Sequence, residues 1–130
     1  MLNQDQAVEI YRQFLNEVLE LEQWYKDVQT HVRATLLYGS VAKGVNGEDS
    51  DIDILIIIPL TIEQEFTRGE YYYSYEGNEI NIVLRSIEKL KLTASEQKDT
   101  FQKEVFRDVR IIDADDEVKE LLIKISSIGT

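Results

Sequence analysis

Apolar residues recur every three or four positions between Asn3 and Asp27, at Ala7, Ile10, Tyr11, Phe14, Val18, Leu21 and Tyr25. That spacing predicts an amphipathic helix covering one face of a sheet. The period then shortens. Thr35 to Tyr38 reads as a strand that stops at Gly39, and the small-residue segment Ser40 to Gly44 after it can start a helix. Asn46 and Gly47 mark a loop. Asp51 to Ile58 (DIDILIII) alternates at its start, turns continuously apolar, and ends at Pro59, the pattern of a central strand. Tyr71 to Tyr75 and Glu79 to Arg85, separated by Glu76, Gly77 and Asn78, read as a β-hairpin. Ser86 to Phe106 is polar with scattered apolar anchors and predicts one or two surface helices, and Val109 to Ile112 predicts a short strand. Asp115 is placed to cap a last helix carrying Val118, Leu121, Leu122 and Ile125 on one face. The sum is an α/β fold, a small mixed sheet of about four to five strands with helices packed against it.

Composition narrows what such a fold can do. With 130 residues, 43% of them hydrophobic, the chain can bury one sizeable core but not two, so residues 1–130 are expected to form a single domain. Twenty-five acidic against fourteen basic residues give a net charge of −11, which argues against nucleic acid as a partner and would draw in a cationic acceptor. The absence of cysteine excludes a disulfide framework, a thiolate metal site and a cysteine nucleophile, and leaves His31 as the one histidine for zinc. The N-terminus lacks a basic patch and an apolar run, and no stretch approaches the roughly 18 residues of a membrane span. A cytoplasmic protein is expected.

The informative stretch is LLYGSVAKGVNGEDSDIDILII. Gly39 has no side chain to block a phosphate, and the amides and hydroxyl around Ser40 can donate to its oxygens where a helix begins. Lys43 adds a positive charge. Residues two apart on a strand share a face about 6.5 to 7 Å apart, so Asp51 and Asp53 can converge on one metal while Ile52 enters the core. Two carboxylates this close resist ionisation unless a cation lies between them, and Mg²⁺, with Mn²⁺ as its substitute, suits such oxygen ligands. Singly, a Gly-Ser turn or an Asp-x-Asp at a strand end is commonplace. Jointly, a lysine three positions after Ser40 and an Asp-x-Asp eleven positions after it, opening an apolar strand, form a pattern that chance rarely produces.

Those residues resemble the nucleotidyltransferase superfamily that includes DNA polymerase β, the aminoglycoside nucleotidyltransferases and the minimal nucleotidyltransferases of prokaryotes. Its signature is Gly-Ser, then Asp-x-Asp/Glu, then a third carboxylate on a later strand. The sequence is similar to kanamycin nucleotidyltransferase from the first helix through YGS and SDI to the hairpin strand beginning EIN, Glu79 to Asn81, and the short RIID strand, Arg110 to Asp113. The resemblance implies a nucleotidyltransferase-like fold and a catalytic site of Asp51, Asp53 and Glu79, all three facing the metal, with Gly39, Ser40 and Lys43 on the phosphates. Asn81 competes for the third corner, because other branches carry an aspartate in a similar frame. Lys43 replaces the family's usual arginine, which keeps a phosphate contact but not a bidentate grip. The implied reaction moves a nucleoside monophosphate, AMP by default, from an NTP to a hydroxyl of an aminoglycoside-like small molecule or a protein side chain. In the aminoglycoside enzymes a helical second domain supplies the general base and acceptor-binding acids, and it has no counterpart in this sequence. A separate helical protein or a second copy would then complete the site, or the acceptor would bind a shallow open cleft. The alternative is an antitoxin-like binding module that acts on or neutralises a helical partner of the HEPN type.

Other residues have plainer readings. Tyr71, Tyr72, Tyr73 and Tyr75 could stack on a base, but aromatics on strands more often pack a sheet. The acidic run Asp113, Asp115, Asp116 and Glu117 is accounted for by a helix N-terminus.

Overall fold

The computed structural model describes residues 2–47, 51–66, 68–95 and 101–127. In chain order its elements are α1 (Gln4–Glu17), α2 (Gln23–Val28), β1 (Ala34–Tyr38), α3 (Gly39–Lys43), β2 (Ile52–Ile58), α4 (Leu60–Glu63), β3 (Glu70–Tyr75), β4 (Asn78–Ser86), α5 (Ile87–Ser95), α6 (Phe101–Arg107), β5 (Arg110–Ala114) and α7 (Asp116–Ser127). The strands form one mixed sheet in the order β3-β4-β2-β1-β5, in which β2 and β4 run parallel and the other neighbours antiparallel. The continuous apolar run of β2 is explained by its place. It lies in the middle of the sheet with helices on both faces, so Ile54 to Ile58 are all buried, each contributing about 1.5 to 3 kcal/mol of burial free energy.

The two faces have separate cores. Leu37, Ile52, Ile54, Ile56, Ile80 and Ile82 pack under α1, α2 and α3. Ala34, Leu36, Leu55 and Ile57 pack under α5, α6 and α7. The helices expected over Ser86 to Phe106 are α5 and α6, and their apolar anchors Ile87, Leu90, Ala94 and Phe106 are buried; residues 96–100 of that stretch lie outside the described residues.

The first helix also differs from the sequence reading. A straight helix from Asn3 to Asp27 would run about 37 Å, well past a sheet whose longest strand, the nine-residue β4, spans about 30 Å. The helix instead stops at Glu17, a 3₁₀ turn covers Leu19–Leu21, and α2 resumes at Gln23. The break re-phases the apolar stripe, so Leu19 is fully buried and Leu21 is 72% exposed. The β3–β4 hairpin closes through Glu76 (φ 48°) and Gly77 (φ 81°), the mirror-image turn whose twist suits two antiparallel strands. Among the described residues no helix is long and apolar enough to cross a membrane.

Asp115 caps α7 as its position predicts. Its Oδ1 accepts from the Val118 amide at 2.9 Å and its Oδ2 from Arg33 Nε at 2.6 Å. Burial pushes its carboxyl up, but the Val118 amide and the Arg33 guanidinium outweigh that and hold it below the ordinary value. A lowered carboxyl adds stability that is present above pH 3.8 and lost as pH falls through the lowered value. Asp115→Ala is therefore expected to cost about 1 kcal/mol at neutral pH and to flatten the acid limb of the stability curve. Urea melts across pH 2 to 7 check both effects.

Candidate active site

Period-two geometry puts Asp53 on the β2 face shared with Leu55 and Ile57, the face that α5, α6 and α7 cover farther along. Among the described residues, the β2 side chains packed against those helices are Leu55 and Ile57, beyond the entry end of the strand. Asp51, immediately before β2, and Asp53 are half-buried there. Register then fixes their neighbours: Asp53 pairs with Tyr38 of β1 on one side and with Asn81 of β4 on the other, and Asn81 pairs in turn with Tyr72 of β3. Tyr38, Asp53, Asn81 and Tyr72 thus form a row across four strands.

Asn81 Nδ2 donates to Asp51 Oδ2 at 2.8 Å and to Asp53 Oδ1 at 3.2 Å, one amide bridging two carboxylates. Burial pushes the Asp53 carboxyl up, the Asn81 hydrogen bond pulls it down, and the Asp51 charge pushes it up again, for a net rise. The Tyr38 hydroxyl is raised to about 12, first by burial and then by the Asp53 charge, and it also feels Arg85 and Glu70.

Gly39 closes the site from the β1 side. Its φ is +76°, and a Cβ there would overlap the Asp53 carboxylate and lie 3.2 Å from Asp53 Cγ. Glycine is required on both counts. Ser40 is the second residue of α3, and Lys43, exposed, lies three residues on, about one turn away on the same side. No side chain caps the start of α3.

Glu79 lies on the same β4 face as Asn81 and, one position before the Ile52–Ile80 pair, level with Asp51. Its side chain is exposed and Oε1 accepts from Ser74 Oγ at 3.1 Å. Among the described residues no three His, Cys, Asp or Glu side chains stand together as a metal site, and the group that meets Asp51 and Asp53 is Asn81. The donor set fits a hard divalent cation in its chemistry, two carboxylates and an amide that can turn its oxygen inward. The raised Asp53 carboxyl is what such a cation would relieve.

Of the four hairpin tyrosines, three pack. Tyr71 stacks on Trp24 at 3.9 Å between centroids, Tyr73 accepts from Trp24 Nε1 at 2.7 Å, and Tyr75 donates to Glu17. Tyr72 points to the opposite face, beside Asn81, and is 61% exposed. Tyr38 is absent from the sequence reading, and Tyr72 enters it only as one of four hairpin tyrosines, because the place of each depends on register. Their signal was the alternation of β1 and β3, which assigns a face but not a neighbour.

The polymerase beta nucleotidyltransferase family model matches residues 16–117, and the chain belongs to that family. The fold is similar to that of a nucleotidyltransferase-like protein from Exiguobacterium sibiricum 255-15, with a TM-score of 0.60 at 9% identity. The likeness covers 94% of this chain and 39% of that one, so the chain spans well under half of that protein's length. No curated protein sequence matches it.

Proposed function

We propose that this chain transfers a nucleoside monophosphate, AMP by default, from an NTP to an acceptor hydroxyl on a small molecule or a protein side chain. The acceptor oxygen attacks the α-phosphorus, the bond to the β-phosphate oxygen breaks, and pyrophosphate leaves. The observation that carries the reading is the Asp51–Asn81–Asp53 cluster beside Gly39, two carboxylates that share one amide. Asp51 and Asp53 would hold Mg²⁺ or Mn²⁺, which when bound neutralises charge on the phosphates. Gly39 lets the Asp53 carboxylate lie against the turn that meets the nucleotide, and the Ser40 hydroxyl and Lys43 ammonium bind its phosphate tail. Glu79 is the third carboxylate in this reading. Its hydrogen bond to Ser74 is exposed, and turning away from it costs little.

The test is incubation of the pure chain with each labelled NTP, Mg²⁺ or Mn²⁺, and candidate acceptors. If no NTP binds and none yields pyrophosphate, the reading fails. A Mn²⁺ titration separates Glu79 from Asn81. Glu79→Gln is expected to weaken Mn²⁺ binding in the presence of a non-hydrolysable NTP by about tenfold or more, while Asn81→Ala costs less. Tight Mn²⁺ binding by Glu79→Gln together with a gain in Asn81→Asp would give the third corner to position 81.

A further inference from the structure

In a chain of net charge −11, three cations gather beside the acid row. Arg68, Arg85 and Lys89 line a pocket of about 390 Å³ bounded by the hairpin edge and the start of α5. Its floor includes Val83, two residues past Asn81 on the same β4 face and about 7 Å along the strand, and Arg85 lies two residues farther. The pocket lies on the β4 and β3 side of β2, whereas Ser40 and Lys43 follow β1 on the other side.

We propose that this pocket is the acceptor's anion subsite, holding a phosphate or carboxylate of the molecule whose hydroxyl is presented at Asp51 and Asp53. The inference rests on the nucleotidyltransferase reading above. Two acids also line the pocket and define the ligand further. Glu70 already accepts from the Tyr72 hydroxyl at 2.5 Å. Glu63 Oε2 is buried without a hydrogen-bond partner, and a buried carboxylate oxygen left unpaired is costly. A ligand with a hydroxyl or ammonium next to its anion places a donor on the Glu63 side of the pocket and its anion against Arg68 and Lys89. The acceptor class is therefore a hydroxylated or aminated phosphate or carboxylate. The overall charge draws a cation toward the protein, but the pocket next to the reacting end selects an anion.

The experiment titrates the full chain with inorganic phosphate while the nucleotide site is saturated by Mn²⁺ and a non-hydrolysable ATP analogue. Wild type is compared with Arg68→Gln/Lys89→Gln, whose two changes fall on exposed side chains. The expected result is saturable phosphate binding by wild type, weakened at least tenfold in the double variant, with affinity for the ATP analogue unchanged within twofold. Equal phosphate affinity in both proteins, or no saturable binding by wild type, overturns the proposal. Loss of analogue affinity in parallel with phosphate also overturns it, because the cations would then hold the triphosphate. If wild type binds phosphate as expected but never binds the analogue, titrated without it, the nucleotidyltransferase reading falls and the anion site stands on its own.

Discussion

Asp53→Asn is expected to reduce transfer at least about 100-fold, the scale of losing one pre-organised electrostatic partner, without unfolding the protein. Asp53 lies at the centre of the row, with Gly39 against its carboxylate, Asn81 donating to it at 3.2 Å and Asp51 sharing that donor. Its raised carboxyl sets the sign of the stability effect. The ionised form is disfavoured in the fold, so in metal-free protein the stability contribution is full below the ordinary pKa of 3.8 and lost as pH rises through the raised value. Replacing the acid with its neutral amide removes that loss, and in EDTA at neutral pH the variant is expected to be at least as stable as wild type. Single-turnover kinetics with Mg²⁺, paired with thermal melts in EDTA, read both quantities. Near wild-type turnover would remove Asp53 from the metal. A collapsed melt would make its role structural.

Gly39→Ala is expected to damage stability and activity together. The left-handed backbone and the overlap with the Asp53 carboxylate act at one atom, so the new methyl must either change φ or displace the acid. Strain of this kind costs about 1 to 3 kcal/mol, and any displacement of Asp53 also disturbs its contact with Asn81. A fall in both the denaturation midpoint and turnover is expected, with turnover down about 100-fold because small misplacements of reacting groups carry costs of that size. Gly47→Ala, where an added Cβ meets nothing within 4 Å, is the control. Equal behaviour of the two variants would show that Gly39 is not needed for close approach.

The central strand, the hairpin and the Gly-Ser turn were legible in the sequence because each is written in local chemistry. DIDILIII announces a strand buried on both faces, Gly77 supplies the positive φ of a tight turn, and Gly39 ends a strand against an approaching group. Asp51 and Asp53 follow from the motif. What joins them to the rest of the site does not, because Asn81 is 28 residues from Asp53 in the chain and the contact is made by register. Period two says that positions 79 and 81 share a face, and stops there. The first helix is shorter than its sequence pattern for a related reason, since the stripe continues in the sequence across the break at Val18. Likewise the net charge of −11 conceals the local excess of cations at Arg68, Arg85 and Lys89.

Strand β2 is hydrogen-bonded to β1 on one edge and to β4 on the other and is buried above and below. Amides in such a position exchange with solvent only when the molecule unfolds as a whole. Asp53 is thus mounted on the slowest-opening part of the protein, and Asp51 adjoins it. Partial openings at the exposed hairpin edge leave that floor intact. A substitution that lowers stability away from the site therefore reduces the number of working molecules and leaves the rate of each one unchanged.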